Sequence, residues 1–384
     1  DGYNVAVGFE AGLTMTTGTL NTIVGAQAGD ALTEGANNTL LGYTAGGALT
    51  TGGSSTIIGA YAGDALTTGI RNTALGYGAL STSVDGDKNT AIGYLALEDY
   101  EGADGEGHNT AVGNESQLNA STGEFNTSLG SLSMGNGLET GNYNTALGYQ
   151  SGRDLTSGTE NTFIGGHSGM LVSTGTHNVA VGMQTMQNTT VGTHNTALGT
   201  YAMFTNVDSS KNVAVGYNSL RMLEPASAVD SLNVAVGFEA GKVMTTGVRN
   251  TIMGGLAGDA MTTTSDNVAI GHEALTSATI GDGNVAIGNH ALYTNVAADR
   301  NIAIGYQALY LATAASTVDS YNTAIGFQAA DHVTSGVQNT IIGGLAGNAI
   351  NTGDNNIVIG YNADTSAVGA DNETVIGTAT TTNA

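Results

Sequence analysis

The most regular feature of the chain is a five-residue segment: an Asn, a β-branched residue, a small or apolar residue, an aliphatic residue and a Gly. It occurs 22 times, and most intervals between successive copies share the same 17-residue spacing. The copies start at residues 4, 21, 38, 55, 72, 89, 109, 126, 144, 161, 178, 195, 212, 233, 250, 267, 284, 301, 322, 339, 356 and 373. A β-branched segment ended by Gly is typical of a short strand, so positions 1 to 5 predict a strand. A second, weaker strand is predicted at positions 8 to 13.

This period predicts the fold class. A 17-residue repeat cannot bury its apolar face alone, but stacked repeats share a core and pair in parallel at about 4.8 Å per layer. We expect an all-β protein, a parallel β-solenoid (β-roll) of about 22 coils, because helical solenoids repeat at about 33 to 47 residues. A single continuous domain is expected over residues 1–384, with loop insertions near 98–108, 135–143, 221–232 and 310–321. Both ends fall within the repeat pattern, so we expect the chain to be part of a longer fibre.

Two positions of the repeat predict specific interactions between coils. Position 1 is Asn in every repeat except at Ser55 and Glu373. Stacking then predicts an Asn ladder in which each amide bonds the coils above and below. Position 5 is Gly in all 22 repeats, which predicts a corner where a Cβ would clash.

Alternation along the strand places positions 2 and 4 on one side and positions 1, 3 and 5 on the other. Position 2 is always β-branched and position 4 always aliphatic or Met, so we expect these two positions to form the core of each coil. Position 3 would then face outward, although it carries no charge in any repeat. An exposed stripe of this kind needs a cover. We therefore expect a homotrimer, intertwined or side by side, that associates through position 3 and the often aromatic position 6.

The residue sizes at positions 3 and 6 support this interface. Ala at position 3 often accompanies Phe or Tyr at position 6, whereas Phe163 accompanies Gly166 and Ile23 accompanies Ala26. The alternative explanation is duplication, since an 89-residue superperiod relates several groups of repeats. The interface hypothesis predicts that Asp in place of Ala214 or Ala235 prevents trimerisation.

Composition excludes several classes of partner and chemistry. With 32 acidic and 8 basic residues, the chain has a net charge of −24 and cannot neutralise phosphate, so we expect neither nucleic-acid nor anionic-membrane binding. The absence of Cys excludes disulfides, Cys-ligated zinc and a cysteine nucleophile. No apolar run approaches the length that a membrane-spanning segment needs, so membrane insertion is not expected.

Two groups of residues are candidate metal ligands. The first insertion contains five acidic residues that could hold calcium. They are Glu98, Asp99, Glu101, Asp104 and Glu106. Their spacing lacks the alternation of an EF-hand loop, so a solvated acidic loop is the preferred interpretation. The second group is His177 and His194, which stand one period apart; no third ligand recurs with them, and two neutral histidines on an outer turn are preferred.

No catalytic residue and no cofactor site is predicted. Solenoid hydrolases need irregular coils with long loops that shape a cleft around paired carboxylates. Here the spacing is uniform and the carboxylates are scattered, so we expect the protein not to be an enzyme. An ice-binding solenoid would need flat rows of Thr, but position 2 alternates between Thr and Val.

Several copies carry a specific resemblance. The segments Asn-Val-Ala-Val-Gly-Phe-Glu-Ala-Gly (4–12 and 233–241) and Asn-Ile-Ala-Ile-Gly-Tyr-Gln-Ala-Leu (301–309) resemble the head repeat of trimeric autotransporter adhesins. They are also similar to the shaft repeat of bacteriophage tail fibres that often end in a self-cleaving chaperone of the endosialidase type. The resemblance covers nearly the whole chain and implies a β-roll in an obligate homotrimer. The adhesin repeat is shorter than the repeat of this chain, which favours the tail-fibre alternative.

The expected function is that of a structural shaft in a phage tail fibre or a similar extracellular appendage. Its partners would be two further copies, other fibre or baseplate proteins, and a host surface receptor or glycan. The expected location is extracellular, on a virion or at a cell surface. The alternatives are the head of a bacterial trimeric adhesin and an ice- or glycan-binding solenoid.

Overall fold

The computed structural model describes residues 2–102, 107–224, 229–313 and 318–377. It contains two compact units, residues 1–193 and residues 194–384. Each unit is an all-β parallel solenoid with the 17-residue period that the repeat predicts. Within the described ranges there is no helix that could span a membrane.

Each coil contributes one short strand, and this strand occupies positions 2 to 4 of the repeat. In the first unit the strands are β1 Val5–Val7, β2 Thr22–Val24, β3 Thr39–Leu41, β4 Thr56–Ile58, β5 Thr73–Leu75, β6 Thr90–Ile92, β7 Thr110–Val112, β8 Thr127–Leu129, β9 Thr145–Leu147, β10 Thr162–Ile164 and β11 Val179–Val181. In the second unit they are β12 Thr196–Leu198, β13 Val213–Val215, β14 Val234–Val236, β15 Thr251–Met253, β16 Val268–Ile270, β17 Val285–Ile287, β18 Ala298–Asp299, β19 Ile302–Ile304, β20 Val318–Asp319, β21 Thr323–Ile325, β22 Thr340–Ile342, β23 Ile357–Ile359 and β24 Thr374–Ile376.

Successive coils of a unit stack in register. Thr73 of β5 lies opposite Thr90 of β6, and the same pairing of like positions recurs along each unit. The two-residue strands β18 and β20 form a separate parallel pair. Because the register never shifts, each repeat position forms a continuous row along its unit.

The interior of the coil corrects the predicted core. Position 3 is fully buried, as at Ala74, Ala91 and Ile252, and is exposed or half-buried only in the first and last coils. Positions 2 and 4 point outward, and none of these side chains is buried among the described residues. The predicted alternation is therefore right, but the predicted side is wrong. The lumen is narrow, so the position 3 residue of the strand and a few side chains from the opposite turn, such as Ala96 and Leu97, suffice to fill it.

Position 9, on that opposite turn, shares the lumen volume with position 3. Phe163 faces Gly169, where a Cβ would lie 2.5 Å from the Phe163 Cδ1 atom. In another coil Ala91 accompanies Leu97, and both side chains are fully buried. Ile, Leu or Phe at position 3 thus goes with Gly at position 9, and Ala usually goes with Leu or Met. The site that compensates for position 3 is position 9, inside the chain, rather than position 6 in an interface.

The second strand predicted at positions 8 to 13 is not formed. This segment is a series of turns, because positions 7 and 9 adopt positive φ, as at Leu95 (φ 50°) and Leu97 (φ 53°). Left-handed residues cannot continue a pleated strand. They still bond between coils: the Leu97 N–H donates to the Ser116 carbonyl at 2.9 Å.

The two features predicted between coils, the corner Gly at position 5 and the Asn ladder at position 1, are confirmed. A Cβ on Gly76 (φ +142°) would lie 2.1 Å from the Gly93 carbonyl oxygen. In the Asn ladder, the Asn38 backbone N–H donates to Asn21 Oδ1 at 2.9 Å, and Asn38 Nδ2 donates to the Gly52 carbonyl at 3.0 Å. Asn38 therefore ties its own coil closed and accepts a bond from the next coil, and most of the other buried amides at position 1 do the same.

The chain rejoins the stack at three of the insertions through isolated parallel bridges, one of which pairs Asp87 with Gly107. Near the fourth insertion the chain rejoins the stack through the β18–β20 pair. Residues 103–106, 225–228 and 314–317, within three of the insertions, lie outside the described part of the chain.

Candidate functional site

The side chains at positions 17, 2, 4 and 6 point away from the lumen and form what we call the outer sheet face. Within the strand, positions 1 and 3 point inward and positions 2 and 4 outward, and position 17 precedes the strand at a positive φ, as at Arg249 (φ 58°). Positions 2 and 4 carry no charged residue in any repeat. Leu75 is 42% exposed and Met253 is 45% exposed. The centre of the outer sheet face is therefore an uncharged, largely apolar strip along each unit.

Aromatic rings border this strip at position 6. They are Phe9, Tyr43, Tyr77, Tyr94, Tyr149, Tyr217, Phe238, Tyr306, Phe327 and Tyr361. Rings in successive coils stack: the centroids of Tyr77 and Tyr94 are 5.6 Å apart, and those of Tyr306 and Phe327 are 5.3 Å apart. This spacing follows from the coil separation of about 4.8 Å and provides a rigid aromatic margin.

Position 17 forms the opposite margin and is mostly polar. Arg249 and Asp266 pair across adjacent coils, with 2.6 Å between the Arg249 Nε and Asp266 Oδ1 atoms. The hydrogen bond from Arg249 lowers the pKa of Asp266. Elsewhere in the same row Phe125 and Tyr143 stack at 5.0 Å. Charge thus occurs at the edge of the outer sheet face and not at its centre.

The outer sheet face, with its margins, is large enough to bind another protein. Eleven strands in a unit, at about 4.8 Å each, extend about 48 Å, and the seven residues from position 17 to position 6 span about 20 Å. The resulting face is on the order of 900 Å², compared with about 800 Å² per partner in a standard protein interface. The apolar centre is part of this area, and exposed apolar patches larger than a few hundred Å² mark interaction surfaces.

A groove lies beside the aromatic margin in the first unit. Its volume is about 450 Å³, and its lining includes Tyr61, Asp64, Tyr77 and Glu98. Burial raises the pKa of Asp64. Burial also raises the pKa of Glu98, and the neighbouring carboxylates of Asp99 and Glu115 add to this effect. The groove thus combines aromatic rings with carboxyl groups that hold their protons more tightly than usual.

The five acidic candidates for calcium are only partly described. Glu98 is half-buried in the groove, whereas Asp99 and Glu101 are exposed. These three do not form a group of converging ligands in the part of the chain that the structure describes. Asp104 and Glu106 lie outside that part, so calcium binding by the whole loop stays a prediction.

The two histidine candidates belong to different units. His177 contacts Glu160 of the preceding coil, with 3.0 Å between His177 Nε2 and Glu160 Oε2. His194 opens the second unit. A shared metal between His177 and His194 therefore stays a prediction.

The residues proposed to report on the interface, Ala214 and Ala235, lie in the lumen and are fully buried. Asp at either position would disrupt the coil itself, so that expectation is corrected. The apolar character of positions 2 and 4 predicts the interior wrongly; the signal for the inner side is the Asn at position 1, which is buried on the same side as position 3. No protein-family model and no curated protein sequence matches this chain.

Proposed function

We propose that this protein is a non-enzymatic structural protein, the shaft of a phage tail fibre or a similar extracellular appendage, which supports attachment to a host or another surface. The observation that carries the proposal is the uncharged centre of the outer sheet face, present in every described coil. Two further copies of the chain would cover it, so that three outer sheet faces pack side by side about a common axis.

The interior of each coil supports this role. Most coils are closed by a buried Asn and joined to their neighbours by backbone hydrogen bonds, so the chain forms these bonds without a partner. Such a stack resists bending because each layer is bonded in register to the next. The acidic residues, with a net charge of −24, would then keep the outside of the assembly solvated.

The experiment compares two charge substitutions by sedimentation equilibrium. Met253→Glu places a carboxylate in the centre of the outer sheet face, whereas Ile280→Glu places one on an exposed turn elsewhere. The two side chains are similarly exposed in the single chain, at 45% and 43%. We expect wild type and Ile280→Glu to sediment with three times the mass of one chain, and Met253→Glu to dissociate while keeping its circular dichroism.

A monomeric wild type would refute the assembly, and a trimeric Met253→Glu would refute the assigned face. The head of a bacterial trimeric adhesin shares this geometry and is the first alternative; the genes that neighbour the coding sequence, for a baseplate or for a secretion barrel, distinguish the two.

Glycan binding is the second alternative, and the groove with Tyr61 and Tyr77 favours it over ice binding. Aromatic rings that project from a surface provide apolar faces with polar tips, which suit a sugar better than a flat ice plane. A glycan array probed with wild type and with Tyr77→Ala tests it. A ligand bound equally by both proteins would exclude the groove.

A further inference from the structure

Three potential metal ligands of the second unit converge on the side of two adjacent coils. Glu273 and His290 both occupy position 7, one period apart, and His272 occupies position 6 of the first coil. The His290 backbone N–H donates to the His272 carbonyl at 3.0 Å, which holds the two residues together. The register of the solenoid therefore fixes the relative positions of all three residues.

The distances between these side chains suit a small divalent cation. The His290 Nε2 atom lies 2.9 Å from Glu273 Oε2, and the His272 Nε2 atom lies 3.9 Å from Glu273 Oε1. The three ligand atoms lie within 4.8 Å of one another, and no other such group occurs in the described ranges. Zinc bonds of about 2.0 to 2.2 Å in a tetrahedron place neighbouring ligand atoms about 3.3 to 3.6 Å apart. Small side-chain rotations would bring all three onto one ion.

The surroundings select one nitrogen of His290. Its Nδ1 atom is buried and has no hydrogen-bond partner, so Nε2, which faces Glu273, is the nitrogen that can bind a metal ion. The rings of Tyr293 and Tyr310 stack at 5.1 Å and shelter the imidazole, whose centroid is 5.1 Å from that of Tyr293. His272 is exposed and leaves a route for the ion.

We propose that His272, Glu273 and His290 form a binding site for a divalent transition-metal ion such as Zn²⁺. Two imidazoles and one carboxylate are a donor set that such ions prefer, whereas Ca²⁺ and Mg²⁺ prefer oxygen ligands alone. Three protein ligands leave a fourth position open to water or to a group from outside the chain. Because the ligands come from two coils, the bound ion joins those coils through their side chains.

The test is isothermal titration calorimetry of the whole chain with Zn²⁺, in a buffer that contains excess Mg²⁺ to occupy scattered carboxylates. The variants are His272→Gln and His290→Gln. Gln already occupies position 7 in the next coil, at Gln307, so the second variant introduces a side chain that this position accommodates. The matched control is His167→Gln, because His167 is also at position 7 and its Nδ1 atom contacts Met170 Sδ at 3.2 Å.

We expect one Zn²⁺ per chain in wild type and in His167→Gln. Either ligand variant should weaken binding by at least about 10- to 100-fold, the loss that removal of an outer-shell partner already causes. Co²⁺ should give the visible absorption of a tetrahedral site in wild type and in His167→Gln but in neither ligand variant. The proposal is overturned if wild type binds no stoichiometric Zn²⁺, or if both ligand variants, folded by circular dichroism, bind it as wild type does.

Discussion

Removal of one amide from the Asn ladder tests how far the buried position 1 stabilises the solenoid. Asn339 is fully buried, and its Nδ2 atom donates to the Gly353 carbonyl at 2.9 Å. Its Oδ1 atom accepts the Asn356 backbone N–H at 3.0 Å. Asn339→Ala leaves one buried donor and one buried acceptor without these partners.

The expected loss follows from those two groups. A buried polar group left without its partner costs about 1 to 3 kcal/mol, so Asn339→Ala should lower the free energy of unfolding by about 2 to 6 kcal/mol. Asn339→Ser should lose about half as much. The chain itself contains this arrangement at Ser55, whose Oγ atom accepts the Asn72 backbone N–H at 3.1 Å. Exposed Asn289 provides a control, because Asn289→Ala should change the free energy by less than about 0.5 kcal/mol.

Guanidinium unfolding followed by far-UV circular dichroism measures the overall loss, and hydrogen exchange at the Asn356 amide measures the local one. That amide should exchange faster in Asn339→Ala and keep most of its protection in Asn339→Ser. If the Ala and Ser variants unfold at the same midpoint as Asn289→Ala, the ladder contributes no net stability and the reasoning is refuted.

Three further experiments test the interior. Burial raises the pKa of Glu139 to about 8, from an ordinary 4.5, so the folded chain holds a proton that the unfolded chain releases; this contribution to stability is complete below about pH 4.5 and is lost as the pH rises through about 8. Between about pH 4.5 and about pH 8 the unfolding midpoint should therefore fall less steeply with pH in Glu139→Gln than in wild type. A slope equal to that of wild type contradicts the raised pKa of Glu139. Ile57→Ala should cost about 2 to 5 kcal/mol and Gly63→Leu about 1 to 3 kcal/mol, whereas the double variant should recover part of both losses in a thermal-unfolding cycle; strict additivity would exclude a shared lumen. Gly216→Ala places a Cβ 2.2 Å from a carbonyl oxygen and should prevent stable folding, whereas Gly166→Ala has open space around its Cβ and should unfold as wild type does.

The repeat alone predicts the solenoid, its period and its two inter-coil devices. These features depend on backbone geometry that is visible in the sequence, because each position needs one residue type. Examples are Gly76 at a positive φ and Asn38 at a buried corner. The inner side of the strand could not be predicted from hydrophobicity, since both sides are uncharged. The volume of the lumen decides which side of the strand faces inward. That volume depends on the turns, and left-handed turn residues such as Leu97 carry no sequence signature of their conformation.

The proposed zinc site, too, could be predicted only in part from the sequence. Glu273 and His290 stand one period apart, so their proximity could be predicted from the repeat. The third ligand, His272, immediately precedes Glu273, so its separation from His290 exceeds the period. It joins the other two only because positions 6 and 7 of adjacent coils are bonded through their backbones. A search confined to identical repeat positions therefore misses this site and finds His177 with His194 instead.

The inward-facing and the outward-facing side chains of the strand are constrained by different contacts. The inward row makes its contacts within one chain: Asn closes the coil, Gly permits the corner, and position 3 shares the lumen with side chains of the opposite turn, including position 9. Nothing in that interior requires positions 2 and 4 to be uncharged, because their side chains point away from it. Their lack of charge in all 22 repeats needs a cause outside the coil, and the proposed contact with other copies of the chain would supply one. Substitutions in the two rows should therefore differ in kind: those at position 3 should shift the unfolding midpoint of the isolated chain, whereas those at position 4 should change the sedimenting mass and leave the unfolding of the isolated chain almost unaltered.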